Sequence, residues 1–313
     1  MTAYIIRRTL LMIPVVIVVS LITFILMHLA PGSPFDATEG RLQSPAMQAS
    51  MNKAFGLDKP EWQQYLVYMG NVIHFDFGPS LKQRSQTVTD IFKERFPFSI
   101  RLGLFALVFA VVVGLGLGIL AALHQNSWID YLSLFIATLG IAIPSFVLSL
   151  FLILLFAVHF GLTPVAPTRE QYLSDLGVWV LPTIALGLPS AALLARLTRT
   201  AMLEVLQQDY IRTARSKGLR ERVIIQRHII KNAMIPVWTT IGPLTAGLIT
   251  GSFIVESIFS IPGIGGFFVT SISARDYSMI MGTTIVYSLT IVIFNLLTDI
   301  TYGLFDPRIK VSK

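Results

Sequence analysis

The chain has 313 residues, of which 54% are hydrophobic and only 13% charged, with a mean hydropathy of +0.70. Soluble domains carry roughly 25% charged residues, so this composition cannot cover a water-facing surface and most of the surface must face lipid. The net charge of +7 is gathered in one connection, which fits membrane topology better than nucleic-acid binding, and the lack of cysteine excludes disulfides, thiolate metal sites and cysteine nucleophiles.

Arg7 and Arg8 precede an apolar stretch from Thr9 to Met27. A cleavable signal peptide has an apolar region of only about 7–15 residues and a small-residue cleavage site. This stretch is longer and runs into the proline-rich segment His28–Pro34, so residues 1–30 are expected to be a retained first helix with a cytoplasmic start. The next connection, 31–97, mixes both signs of charge and contains Phe55, Trp62, Tyr65, Tyr68, Phe75 and Phe77. That many aromatics do not suit a solvated tether, and an ordered extracytoplasmic cap is expected.

Segments of about 20 apolar residues can cross a hydrocarbon core about 30 Å thick. Candidates at 9–30, 98–123, 131–159, 178–203, 235–259 and 280–304 predict an all-α, polytopic membrane protein of about six transmembrane helices. Pro14, Pro144, Pro189 and Pro243 fall inside them, as membrane helices tolerate. Gly114–Gly118 and Gly247–Gly251 carry the small-xxx-small spacing that lets helix backbones approach closely. Residues 98–305 then form the transmembrane core, with a cytoplasmic segment at about 204–231, and 306–313 a cytoplasmic tail.

Between Arg196 and Lys231, nine basic residues stand against Glu204, Asp209 and Glu221, a net of +6; the tail is net +2. The positive-inside rule puts both in the cytoplasm with Arg7 and Arg8, and six spans place both termini there. Within this connection Leu206, Tyr210 and Ala214 fall at i, i+4 and i+8, which predicts one narrow apolar stripe on a short helix. Gly218 stands where such a helix would end, with Lys217 at the negative end of its dipole. A short helix with an apolar face would suit a groove on a cytoplasmic partner. The plainer alternative is a basic loop resting on anionic lipid.

Ionisable groups inside spans are functional candidates. Glu256 could line an outer mouth or take helix-end hydrogen bonds; Asn295 and Asp299, at i and i+4, are expected to pair with a basic residue of the connection; Arg101 can snorkel from a span end. No histidine spacing suggests a metal site and no cluster suggests catalysis, so no catalytic, cofactor or metal residue is assigned. The sequence has no Gly-x-x-x-x-Gly-Lys-Ser/Thr, so the chain cannot cradle ATP phosphates itself.

Tyr210 through Leu219 reads Tyr-Ile-Arg-Thr-Ala-Arg-Ser-Lys-Gly-Leu. It resembles the cytoplasmic signature of the permease subunits of binding-protein-dependent ABC importers, in the oligopeptide, dipeptide and nickel branch, of the dipeptide or oligopeptide permease B type. Thr213-Ala214 with Gly218 stands at its Ala-Ala-xxx-Gly part. Arg212 stands where the wider superfamily has glutamate, and the closing Ile235-Pro236 lies farther from the glycine than in sugar permeases; both departures are usual in the peptide branch. Further matching segments, in order, are Leu29–Pro34 (with Ser33 where relatives often carry aspartate), Phe75–Ser80, Ile143–Phe146, Glu256–Gly265, and Asn295–Asp299 with Tyr302 and Asp306–Ile309.

The resemblance covers nearly the whole chain and implies a type I ABC importer permease fold. It implies ATPase coupling through Asp209, Tyr210, Arg212, Thr213, Ala214, Arg215, Lys217, Gly218 and Leu219, and pore or gate roles for Pro144, Ser145 and Glu256. Implied partners are a second homologous permease in a heterodimer, two cytoplasmic ATPase subunits that bind ATP and Mg, an extracytoplasmic solute-binding protein and membrane lipid, with no nucleic acid and no cofactor in this chain. The implied setting is a bacterial or archaeal plasma (inner) membrane, and the implied cargo dipeptides or oligopeptides, with nickel chelates or glutathione as alternatives. A secondary transporter without an ATPase, or a membrane-bound enzyme, are the competing classes; the first would call for buried charge near mid-membrane and the second for clustered His, Asp or Glu.

Overall fold

The computed structural model describes residues 2–30, 58–83, 86–250 and 252–305. Among these, regular structure is helical apart from a single β-bridge between Pro79 and Thr87. In chain order the helices are α1 (Thr2–Leu29), α2 (Glu61–Ile73), α3 (Val88–Leu123), α4 (Trp128–Ala142), α5 (Ser145–Leu152), α6 (Arg169–Ser174), α7 (Val180–Leu206), α8 (Asp209–Ser216), α9 (Glu221–Val223), α10 (Lys231–Ile249), α11 (Phe253–Ile258), α12 (Gly265–Ala274) and α13 (Tyr277–Phe305). A π-helical turn, Ile153–His159, runs on from α5, and another, Ile224–Ile230, joins α9 to α10.

Among the described residues, four helices are long and apolar enough to cross a membrane: Thr9–Leu29, Val88–Leu123, Gly177–Leu206 and Tyr277–Thr298. Trp128–Ala142 and Ser145–His159 make a fifth span if counted as one, although they meet at 105°. Proline drives the residue before it out of the helical region, and Ile143 accordingly sits at φ −84°, ψ 119°, so segment 131–159 is an elbow and not a rod. Segment 235–259 is also divided, into α10 and the separate α11. Lys231, Asn232, Pro236, Pro243 and three threonines dilute the apolar content of α10, which is not among those four.

The chain forms two compact units: a smaller one of residues 9–97 and 263–289, and a larger one of 1–8, 98–262 and 290–313. The smaller unit is built on Phe24 and Met27 of α1, Val88, Ile91 and Phe92 of α3, Phe77, Ile264, and Met279–Met281 and Ile285 of α13. Tyr65, Tyr68, Met69 and Val72 of α2 pack onto that core, and the Tyr65 hydroxyl lies 2.8 Å from Ser20 Oγ. Asp276 caps α13, accepting from Met279 N at 3.1 Å, from the Ser80 hydroxyl at 2.5 Å and from Lys82 N at 3.3 Å. Residues 31–57 of the expected cap, including most of the Leu29–Pro34 motif, lie outside the described residues, as do the Asp299 and Tyr302 side chains and the tail 306–313.

In the larger unit α7 is the central helix. A Cβ on Gly114 or Gly118 of α3 would stand 2.6 Å from the carbonyl oxygens of Ala191 and Ala195 of α7, and one on Gly187 of α7 would stand 2.9 Å from Ala106 O of α3. A Cβ on Gly140 of α4 would stand 3.0 Å from the Ala192 side chain and 3.3 Å from Leu188 O of α7. In lipid, where no hydrophobic effect drives helices together, such close backbone approach supplies the packing. Gly247 differs: nothing stands within 4 Å of a Cβ there, and Gly251 lies outside the described residues. Near the start of α7, Trp179 and Tyr172 are buried with their polar atoms satisfied. The Tyr172 hydroxyl donates to Phe259 O at 2.5 Å, Trp179 Nε1 donates to Tyr172 O at 3.0 Å, and Arg101 donates to that same carbonyl at 3.2 Å. Arg101 therefore turns inward over the Trp179 ring instead of snorkelling outward.

Candidate functional site

The basic connection folds into α8, held between α7 and the α9–α10 run. α7 stops at Leu206, Gln208 is extended at ψ 144°, and α8 starts with Asp209 in its first turn, where a negative charge suits the helix dipole. The helix closes at Lys217. Gly218 follows at φ +75°, the left-handed conformation in which a glycine costs least, and Leu219 N returns to Ala214 O at 3.3 Å.

The buried face of α8 is Ile211 and Ala214, which corrects the stripe expected from Leu206, Tyr210 and Ala214. That count ran through one continuous helix, whereas the chain breaks at Gln207–Gln208 and the register restarts, leaving Tyr210 exposed. Ile211 and Ala214 pack on Ala122 at the end of α3, Ala201 and Met202 of α7, Ile224 and Ile229 of the π turn, and Ala233 of α10. Ile224 and Ile229 are five residues apart and both fully buried, a spacing that a π turn brings to one face and an α-helix would not. The groove that receives the apolar face therefore belongs to this chain.

The opposite face carries Tyr210, Arg212, Thr213, Arg215 and Lys217, all exposed, with Leu219 beyond the turn. Asn232 Nδ2 donates to the Tyr210 hydroxyl at 3.1 Å. Across the Gly218 turn Arg215 makes a forked pair with Glu221, Nη2 to Oε1 at 2.7 Å and Nε to Oε2 at 3.2 Å. Those hydrogen bonds hold the Glu221 carboxyl below the usual carboxylate range and raise the Arg215 guanidinium further. Solvent screens so exposed a pair, so it fixes the shape of the turn more than it stabilises the chain.

Pro144, Ser145 and Glu256 lie elsewhere. Pro144 and Ser145 form the elbow between α4 and α5; Glu256 is buried on α11, whose first turn is capped by Ser252. α5 and α11 pack against each other, so the structure brings those two elements together. None of the three belongs to the cluster around α8.

Two carboxylates that are not among the sequence candidates are buried and hold several hydrogen bonds each. One is Asp276, described above. The other is Asp130 in the first turn of α4, whose side chain is 1% exposed. It accepts from Arg199 Nε at 2.6 Å, Arg199 Nη2 at 2.8 Å and Asn126 N at 3.0 Å. The one local signal was a single acid opening an apolar run; its partner was hidden among nine basic residues.

The chain matches two family models. Residues 114–311 match the binding-protein-dependent transport system inner membrane component, and residues 1–103 the N-terminal part of the corresponding membrane component. It is 46% identical to the dipeptide transport system permease protein DppB of Bacillus subtilis, over all of this chain and 99% of that one. It is 39% identical to the oligopeptide transport system permease protein OppB of Haemophilus influenzae, over 99% of this chain and 100% of that one. Among solved structures it resembles a chain of the inward-facing MetNI methionine ABC transporter, with a TM-score of 0.54 at 14% identity, covering 69% of this chain and 96% of the other. An amino acid ABC transporter gives 0.52 at 16% identity, covering 69% and 94%. At such identities the likeness shows the fold, that of the type I importer permeases. With the two models accounting for nearly every residue and relatives matched from end to end, the chain belongs to the family of binding-protein-dependent transport system inner membrane components, as an ABC importer permease.

Proposed function

We propose that the chain forms half of a translocation path for dipeptides or oligopeptides, driven by ATP hydrolysis in separate subunits that seat on α8. The observation that carries this reading is the division of α8 into two faces. Ile211 and Ala214 are gripped by the chain's own core, while Tyr210, Arg212, Thr213, Arg215 and Lys217 are presented outward. A helix held in this way passes a push to the helices beneath it, because packed elements move between discrete arrangements and do not deform continuously. On this reading α8 and both termini are cytoplasmic, and two ATPase subunits there hold ATP and Mg. Residues 31–97 form the exterior cap, a solute-binding protein delivers cargo on that side, and a second, similar permease completes the path. The peptide cargo is supported by relatives matched along essentially their full length, which are dipeptide and oligopeptide transport system permease proteins.

The test is reconstitution of the complex in liposomes with a loaded solute-binding protein. The expected result is ATP-dependent uptake of labelled dipeptide, with ATP hydrolysis stimulated by the loaded receptor. Uptake driven by an ion gradient in vesicles lacking the ATPases would overturn the importer mechanism. Uptake of a nickel chelate or glutathione with no peptide uptake would overturn the cargo.

A further inference from the structure

The pair between buried Asp130 and partly buried Arg199 has no role in the mechanism proposed above. Its geometry is more demanding than adhesion requires. Both carboxylate oxygens meet the guanidinium fork, at 2.6 and 2.8 Å, and the second also takes Asn126 N at 3.0 Å. A forked pair fixes orientation as well as distance. Adhesion between α4 and α7 is already supplied by small residues, with Gly140 against Ala192, and Ala137 clustered with Ala192 and Ala195. A buried ion pair is in any case weak as a source of stability, because desolvation offsets most of the attraction.

The place of the pair in the chain says what the orientation serves. On one side, Arg199 stands less than a turn before Ala201 and Met202, which form part of the α8 seat. On the other, Asn126 follows Ala122, another part of that seat, within the turn that links α3 to α4. Asp130 is thus tied to both walls of the groove that holds α8. It also opens α4, whose far end is the Pro144 elbow leading into α5. Asp130 is the residue of α4 that is bonded both to the α3–α4 turn and to α7.

We propose that Asp130 and Arg199 are positioning residues of the transport cycle, carrying the displacement of α8 into α4 and through the elbow into α5. The proposal rests on the reading of α8 as the ATPase seat.

The test uses the assembled transporter in liposomes, with receptor-free hydrolysis, receptor-stimulated hydrolysis and uptake per ATP all measured. Four variants are compared: Asp130→Asn, Arg199→Lys, the double replacement Asp130→Leu with Arg199→Met, and Gly218→Val. The double replacement removes both charges together, so no ion is left buried alone. The expected result is assembly and receptor-free hydrolysis near the wild-type level in the double variant and in Asp130→Asn, with stimulation and uptake per ATP reduced about tenfold. Arg199→Lys, a point charge without the fork, should fall between these and the wild type. A double variant as tightly coupled as the wild type overturns the proposal, and so does failure of all three pair variants to assemble, which would make the pair structural only. If Asp130→Asn alone fails to assemble, the double variant and Arg199→Lys decide. If Gly218→Val is uncoupled while the pair variants are not, the α8 reading stands and this proposal falls; a wild-type complex that shows no receptor stimulation takes both down.

Discussion

Gly218 and Gly118 need their missing side chains for opposite reasons. At Gly218 the backbone is left-handed, at φ +75°, yet a Cβ would meet nothing within 4 Å. A β-branched residue there strains the turn by about 1–3 kcal/mol, although its Cβ meets no neighbour. At Gly118 the backbone is ordinary helix, but a Cβ would stand 2.6 Å from Ala195 O and 2.6 Å from Thr198 Cβ. Substitution there must push α3 off α7, at about 1–3 kcal/mol or more. Heating the purified complex and following its monodisperse fraction should therefore separate the two sites. Gly118→Val should lose thermal stability, and Gly116→Ala, with open space around it, should not. Gly218→Val, with no clash at its Cβ, should lose less stability than Gly118→Val and yet lose receptor-stimulated ATP hydrolysis. Ala214→Trp should lose both, since Ala214 lies in the chain's own groove, whereas Tyr210→Ala, on the exposed face, should lose stimulation alone. Equal thermal loss at Gly118 and Gly116 would contradict the close approach of α3 and α7. At this scale the sequence was partly legible. The glycine after the helix announced itself by position, but the buried face of α8 did not, because a break of two residues reset the register. The partner of Asp130 lies 69 residues away, and no local pattern reports such a pairing.

Element boundaries followed from apolar length, so most expected segments appear as helices at nearly the expected places. Their interruptions were less legible. Pro97, Pro189, Pro236 and Pro243 all stay inside continuous helices, while Pro144 ends one and starts another. The residue type is the same, and what decides is whether the surrounding packing can satisfy the freed backbone groups. The π turn at Ile224–Ile230 was invisible for a related reason, since the usual helical count assigns Ile224 and Ile229 to different faces. Deleting Gln226, exposed within that turn, should restore a regular α-helix in which Ile224 and Ile229, then four residues apart, still share one face. Inserting an alanine beside Gln226 instead sets them six apart and takes Ile224 off that face. The expected outcome is a deletion chain that still carries the ATPases in pull-down and an insertion chain that reaches the membrane without them. Retention of the ATPases by the insertion chain would show that the shared face is dispensable.

For the molecule as a whole, the charge asymmetry of the connections motivates a direct test of sidedness, and a chain with no native cysteine makes it clean. In intact cells stripped of the outer barrier, Arg169→Cys should react with an impermeant maleimide and Lys217→Cys only after permeabilisation; both positions are exposed. External labelling of Lys217→Cys would reverse the proposed orientation.

The division into two units has a bearing on how the chain is made. The smaller unit joins residues 9–97 to residues 263–289, so its core sets Phe24, Val88 and Phe92 against Ile264, Met279 and Ile285. Synthesis runs from the first residue to the last, and the larger unit's main stretch, 98–262, is made in between. The earliest-made part must therefore hold half a core open in the bilayer until nearly the end of translation. A nascent chain halted near residue 262 would have the whole of α8 and its groove, yet Phe24 and Phe92 would still be waiting for their neighbours. The smaller unit, started at residue 9, closes only once residues 263–289 have been made, and quality control of this protein has to tolerate an unfinished amino-terminal segment for most of its synthesis.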